Sequence, residues 1–242
     1  MADYGLISKN DNGDVQIDSM YQNFIMQDSG SVYPNPTQGM TSISITPSAA
    51  PPLVAIKPSS DYFVSILGYG LSDNLYNSVK IAAGDHPPED FSSFPTSISY
   101  LVGRTVSSAP SESYGMIVYN PDGKICFHSA YKYLKILSVH SFTLSTPNPA
   151  TGTFPYVDIN HPNIYNPYYI LTPNWSGLAT AGYEVPPPTP IFHIQAVSVG
   201  FKKLDSEYVR IRSFVFGSFA NAGHPLSTSY WSGSFTLLTC NI

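Results

Sequence analysis

Six histidines and one dense acidic cluster are the residues of this sequence whose types best suit chemistry. The histidines are His86, His128, His140, His161, His193 and His224. Metal binding needs ligands at close, regular spacing. No two of these stand at i, i+4, and none joins a Cys/His cluster. His161 and His224 each precede a proline in a loop-like context, and His193 lies between Phe192 and Ile194 on an expected strand, so structural or surface roles are expected. Asp85-His86-Pro87-Pro88-Glu89-Asp90 gathers the carboxylates that calcium takes. Its two prolines stiffen it, and it lacks the spaced acid-x-acid-x-acid-Gly pattern, so it reads as a solvated loop. Asn10-Asp11-Asn12-Gly13-Asp14 has a superficial calcium-loop look, yet its aligned copy carries Lys124 in place of Asp14, which favours a turn. Cys126 and Cys240 are too few and too far apart for a disulfide framework and read as two unpaired thiols. No Gly-x-Ser-x-Gly elbow, catalytic-cysteine signature or phosphate-cradling glycine loop is present. A glycosidase pair of carboxylates would be spatial, and the 16 acids fall largely in turns. We expect no enzyme activity, no cofactor and no metal.

Aromatic side chains offer a second kind of chemistry. Tyr165, Tyr168, Tyr169, Trp175, Tyr230 and Trp231 can stack on sugar faces or dock on protein, the competing reading being core filling. Arg210 and Arg212 alternate with apolar residues and are expected on an exposed or interfacial sheet face.

The bulk numbers agree with a contact protein. Charged residues make up 11% of the 242 and aromatics 14%, with 18 Tyr, 13 Phe and 22 Pro. Ordinary soluble domains carry about a quarter charged residues. Here Ser, Thr, Asn and Tyr take their place, and apolar content is 43%, which argues against disorder. A net charge of −5 gives no footprint for nucleic acid or an anionic membrane. No run reaches the ~18 apolar residues of a membrane span. The N-terminal Met1-Ala2-Asp3-Tyr4-Gly5 lacks signal-peptide regions, so synthesis in the cytoplasm without export by its own N-terminus is expected.

The elements that must position these groups are strands. Apolar positions alternate with period two. Strands are predicted at Ser42–Ile45, Leu53–Lys57, Tyr62–Leu67, Ser97–Val102, Phe192–Phe201, Tyr208–Phe219 and Ser234–Thr239, separated by turn residues. One weak helical period covers Leu71–Ile81. An internal repeat stands out: Tyr4–Met26 aligns without gaps on Tyr114–Ile136 at an offset of 110, with seven identities. These are Tyr4/Tyr114, Gly5/Gly115, Ile7/Ile117, Asn10/Asn120, Gly13/Gly123, Ser19/Ser129 and Tyr21/Tyr131. About one or two would arise by chance at average residue frequencies. Each copy reads as a β-hairpin. Pro121 presets a type I turn, Asn120 caps it and Gly123 supplies positive φ for a three-residue loop with a glycine bulge. Alternation places Ile125 and Phe127 toward the core with Cys126 and His128 away, and Val15 and Ile17 toward it with Gln16 and Asp18 away. The polar run Val106–Ser113 marks a soft boundary between a half of residues 1–110 and a half of 111–242, which one sandwich can also accommodate. Residues 146–190 hold ten of the 22 prolines with interleaved tyrosines, and read as one long ordered loop excursion that contacts a partner. The predicted fold is all-β, an antiparallel sandwich.

The pattern Tyr-Gly-Leu/Met-Ile-x-x-Asn-x-x-Gly-x-Val/Ile-x-Ile/Phe-x-Ser, carried by Tyr4–Ser19 and Tyr114–Ser129, resembles the short hairpin signature of small tailed-phage virion proteins. Ile17-Asp18-Ser19 is close to the usual ending, and His128 replaces the acid in the second copy. The resemblance covers about a fifth of the chain. It implies a non-enzymatic part of a phage particle, in the tail or tail tip, that contacts other virion proteins and further copies of itself as a homo-oligomer. A host-surface glycan is a further partner it allows; nucleic acid and membrane insertion are not expected. The rival expectations are a carbohydrate-binding adhesin and a head-decorating protein.

Overall fold

The turn chemistry at Asn120–Gly123 forms as its residues dictate. In the computed structural model, β9 (Ile117–Tyr119) and β10 (Ile125–His128) pair antiparallel around it. Gly123 adopts φ 75°, and its N–H donates to the Asn120 carbonyl at 2.9 Å. The Asn120 side-chain oxygen accepts the Asp122 and Lys124 N–H groups at 3.1 and 2.8 Å. The other copy, β1 (Ile7–Lys9) and β2 (Val15–Asp18), has the same register. Ile7 faces Asp18, Ser8 faces Ile17 and Lys9 faces Val15, as Ile117 faces His128, Val118 faces Phe127 and Tyr119 faces Ile125. The sequence repeat is therefore a structural repeat, pair for pair.

The structure describes residues 7–9, 15–18, 23–35, 39–58, 60–84, 97–105, 115–145, 153–174, 176–184, 191–222 and 233–242. Besides the hairpins these form β3 (Phe24–Val32), β4 (Met40–Ser48), β5 (Leu53–Lys57), β6 (Phe63–Ser72), β7 (Leu75–Gly84) and β8 (Ile98–Thr105) in the first half. The second half adds β11 (Lys135–Leu144), β12 (Tyr156–Asn160), β13 (Tyr168–Thr172), β14 (Ser176–Glu184), β15 (Ile191–Lys203), β16 (Tyr208–Ala222) and β17 (Gly233–Asn241). The protein is all-β, with two large antiparallel sheets in a sandwich-like arrangement. All seven strands expected from alternation are present.

The strand orders expose a duplication. The six-stranded sheet runs β3-β8-β5-β13-β17-β11, and the seven-stranded sheet runs β4-β7-β6-β15-β16-β12 with β14 also paired to β15. Each order reads the same from either end if β3 is matched to β11, β4 to β12, β5 to β13, β6 to β15, β7 to β16 and β8 to β17. The two halves are thus related by a pseudo-twofold axis that passes between β5 and β13 and between β6 and β15. Contact across it is made by the bridges Ile56–Tyr169 and Val64–Phe201. A third contact, Ile25–Tyr133, joins the starts of the two edge strands, so the six-stranded sheet closes on itself. There the Met26 N–H donates to the Lys132 carbonyl at 2.8 Å and the Leu134 N–H to the Phe24 carbonyl at 3.0 Å.

A bulge at the same repeat position, between Met26 and Asp28 and between Ile136 and Ser138, lets each edge strand serve two cores. An extra residue reverses which face later side chains occupy. Met26 and Leu134 therefore pack on Ala55, Leu101, Ile170 and Cys240 inside the closed sheet. Beyond the bulges, Val32 and Phe142 turn to the main core between the sheets, with Ile56, Val64, Ile81, Ile211 and Leu237.

The weak helical period at Leu71–Ile81 gives way to the β6–β7 hairpin, whose tip residues Asp73 and Asn74 adopt φ 53° and 63°, the pair of positive values that a two-residue hairpin loop needs. Two expectations are corrected. Residues 146–190 are no single excursion, because β12, β13 and β14 lie within them and β13 sits in the middle of the six-stranded sheet. Prolines 155, 162, 167 and 173 fall outside these strands, where no ladder N–H is lost. In β10 the faces are reversed. Cys126 and His128 are buried while Ile125 and Phe127 are half-buried, so the alternation holds with the opposite face turned inward. The side chains of Val15, Gln16, Ile17 and Asp18 lie outside the described residues.

The joint between halves is tight at Gly200, where an added Cβ would meet the Val64 carbonyl oxygen and the Phe214 ring. Gly123 has open space, so alanine there meets only the positive φ. In urea unfolding, Gly123→Ala is expected to lose about 1 kcal/mol and Gly200→Ala about 3 kcal/mol. Equal losses would contradict a close-packed β6–β15 joint.

Candidate functional site

Among the described residues, Tyr165, Tyr168 and Tyr169 do not share one surface. Tyr165, in the turn between β12 and β13, is 86% exposed. Asn163 and Asn166, at φ 65° and 56°, shape that turn. On β13 successive side chains take opposite faces. Tyr168 is half-buried on the closed-sheet side, with the Lys57 ammonium 5.9 Å from its ring centre. Tyr169 points the other way and is 2% exposed in the main core, so its expected place in a contact loop is corrected. Trp175, Tyr230 and Trp231 lie outside the described residues.

Tyr169 instead forms a buried polar pair. Its hydroxyl meets His161 Nε2, and the imidazole is itself buried with Nδ1 unpartnered. Burial pushes the tyrosine well above its ordinary value and holds the imidazole below its own. His161 continues the β12–β16 ladder, its N–H donating to the Glu207 carbonyl at 2.8 Å. Matching β12 to β4 puts His161 where the first half has buried Ile45. His128 is buried too, its Nδ1 accepting the Ala130 N–H at 3.1 Å. Among the described residues, no three His, Cys, Asp or Glu side chains gather as metal ligands. Asp85–Asp90, His86 and His224 lie outside the described residues, as does the side chain of His193. Neither cysteine forms a disulfide and both are buried; burial raises the Cys240 thiol to about 12, where it is no nucleophile.

Arg210 and Arg212 occupy the outer face of β16, as alternation predicts, but are half-buried against neighbours. Arg210 forms a bidentate pair with Asp158, both contacts 2.8 Å, and stacks on Tyr156 at 4.0 Å. Arg212 lies 4.4 Å from the Phe63 ring centre. An exposed pair of this kind contributes at most about 1 kcal/mol, so it trims the edge strand β12 without carrying the fold.

The concave site was not visible in the sequence. A pocket of about 650 Å³ opens between the start of β3, the turn after β4, the end of β8 and Tyr131. Arg104 lines it and is 7% exposed. Its Nη2 donates to the Thr46 carbonyl, while Nε is buried without a partner. Thr46 in turn donates its N–H and hydroxyl to the two Asp28 oxygens at 3.1 and 3.0 Å. Burial lowers the Arg104 value, and the nearby Asp28 charge opposes that. The only sequence signal was a charged residue ending the apolar run Leu101-Val102-Gly103. Its partners, 58 and 76 positions away, are brought together by the sheets alone. Comparison with protein-family models, curated proteins and solved structures finds no match.

The His161 pair sets a pH dependence. Unfolded histidine takes a proton near pH 6.5, and folded His161 does so only at lower pH, with His140 and Lys203 opposing the charge and Asp205 favouring it. The unfolded chain then binds more protons, so stability is expected to fall as pH drops below about 6.5. Melting temperatures between pH 4.5 and 7.5 should show a shallower fall for His161→Ile, which copies the first half. An unchanged slope would show that another group sets it.

Proposed function

We propose that this chain is a non-enzymatic structural component of a tailed-phage virion, placed in the tail or tail tip and assembled with other virion proteins and further copies of itself. The observation that carries this reading is the twice-repeated hairpin signature. In the second copy its conserved-type residues are the ones that build the hairpin. Asn120 and Gly123 make the turn. Gly115 has φ 127° and lies against Ser129, whose hydroxyl accepts the Met116 N–H at 2.9 Å. A side chain at Gly115 would strike that hydroxyl, which accounts for the pairing of an early glycine with a terminal serine in the pattern.

Two further features support assembly over catalysis. The hairpin presents Met116, Ile117 and Tyr119 to solvent, and such apolar exposure on an ordered strand suits burial by a neighbour. The charge-poor surface leaves few side chains to desolvate at a contact. An adhesin that takes carbohydrate is the second reading, favoured by the concave pocket beside Arg104.

Immunogold labelling of particles from a lysate of the source, with antibody that recognises the native chain, tests the first reading. Gold at the tail is the expected result. Gold over the head would keep the particle and replace the tail role with capsid reinforcement, and unlabelled particles would overturn the proposal.

A further inference from the structure

The pseudo-twofold axis supplies an internal control for every polar group. Residues that both halves share at matched positions serve the fold, whereas those present in one half alone are not demanded by it. Matching the ladders places Ser138 where the first half has Asp28, Pro162 where it has Thr46, and Asn241 where it has Arg104. The second half completes the same strands without a buried charge at those positions. Burying an arginine carries a penalty of several kcal/mol unless its donors are met. Arg104 meets that penalty only in part, through the Thr46 carbonyl and the nearby Asp28 charge.

We propose that the pocket lined by Arg104 and Tyr131 is a binding site for a carboxylate-bearing sugar. Its volume of about 650 Å³ lies within the range of small-molecule sites, roughly 300–1,000 Å³. Among the described residues Arg104 is the one charged side chain lining it, and a guanidinium is a natural partner for a carboxylate. Gln27, Ser48 and Thr105 supply donors and acceptors for ring hydroxyls, while Met26 and the half-buried Tyr131 give an apolar wall for the face of a ring. A doubly charged phosphate fits less well, because one guanidinium with the Asp28 charge nearby matches a single negative charge better than two. An extended peptide is also disfavoured. At this point the β3 edge is taken by residues 132–134 of the same chain, with Met26 bonded to Lys132, so no ladder is open for strand addition. The site stands on its own geometry and does not depend on where in a particle the chain resides, so it and the virion reading fail separately.

Isothermal titration of the full chain with methyl glucuronide, N-acetylneuraminic acid, methyl glucoside and a short oligoglutamate tests the proposal. An acidic sugar is expected to bind at least tenfold more tightly than methyl glucoside. Arg104→Gln is expected to remove that preference. Because a buried substitution can unfold the chain, Ala49→Trp serves as the second variant: Ala49 is exposed on the pocket wall, and the indole would fill the space without disturbing Arg104. Arg210→Gln, on the other sheet, should bind as the parent does. Failure of both acidic sugars to bind, equal binding of acidic and neutral sugars, tighter binding of oligoglutamate than of either sugar, or full binding by Ala49→Trp would overturn the assignment.

Discussion

Pairing across one line holds the molecule together. The halves meet where β5 lies beside β13, where β6 lies beside β15, and where the starts of β3 and β11 cross. Neither half has a closed core without the other, because the buried cluster between the sheets takes Val54, Ile66 and Val79 from one and Leu171, Val199 and Leu237 from the other. Hydrophobic burial of this kind is non-directional, so backbone pairing along the axis is what fixes the register in which the two faces meet. The two edge-strand bulges follow from the same constraint, since one strand must line the closed sheet first and the main core afterwards.

Local chemistry was legible in the sequence and spatial chemistry was not. The Asn120–Gly123 turn and Leu53–Lys57 could be read directly, because turn residues and period-two alternation act over a few positions. The hairpin repeat gave away the duplication only in its first 23 aligned residues, since the remaining matched strands share only scattered apolar residues, such as Ile43 with Ile159 and Val79 with Val209. Strands of five residues between prolines, as at Tyr156–Asn160 and Tyr168–Thr172, give too short a pattern to stand out, and the stretch looked like a loop. Tyr169 looked like a contact residue for the same reason: its burial follows from which face of β13 it takes. Cys126 and His128 take the inward face of β10, and alternation alone does not say which of the two faces is inward. Arg104, Asp28 and Thr46 belong to three strands of two sheets, so only the fold brings them together.

Duplication also separates what both halves share from what one half carries alone. Both halves use a short hairpin of the same register, an edge-strand bulge and an apolar axis. They differ in surface detail. Buried His161 stands opposite Ile45, and exposed Leu137 and Val139 on β11 stand where β3 has Gln27 and Ser29.

Native-state hydrogen exchange on the full chain tests that account most directly. If the axis unites the halves, the amides of β5, β8, β13 and β17 exchange only through global opening, with one free energy shared by both halves. Slow exchange in one half alongside faster, independent exchange in the other would contradict it, since each half would then hold a core of its own.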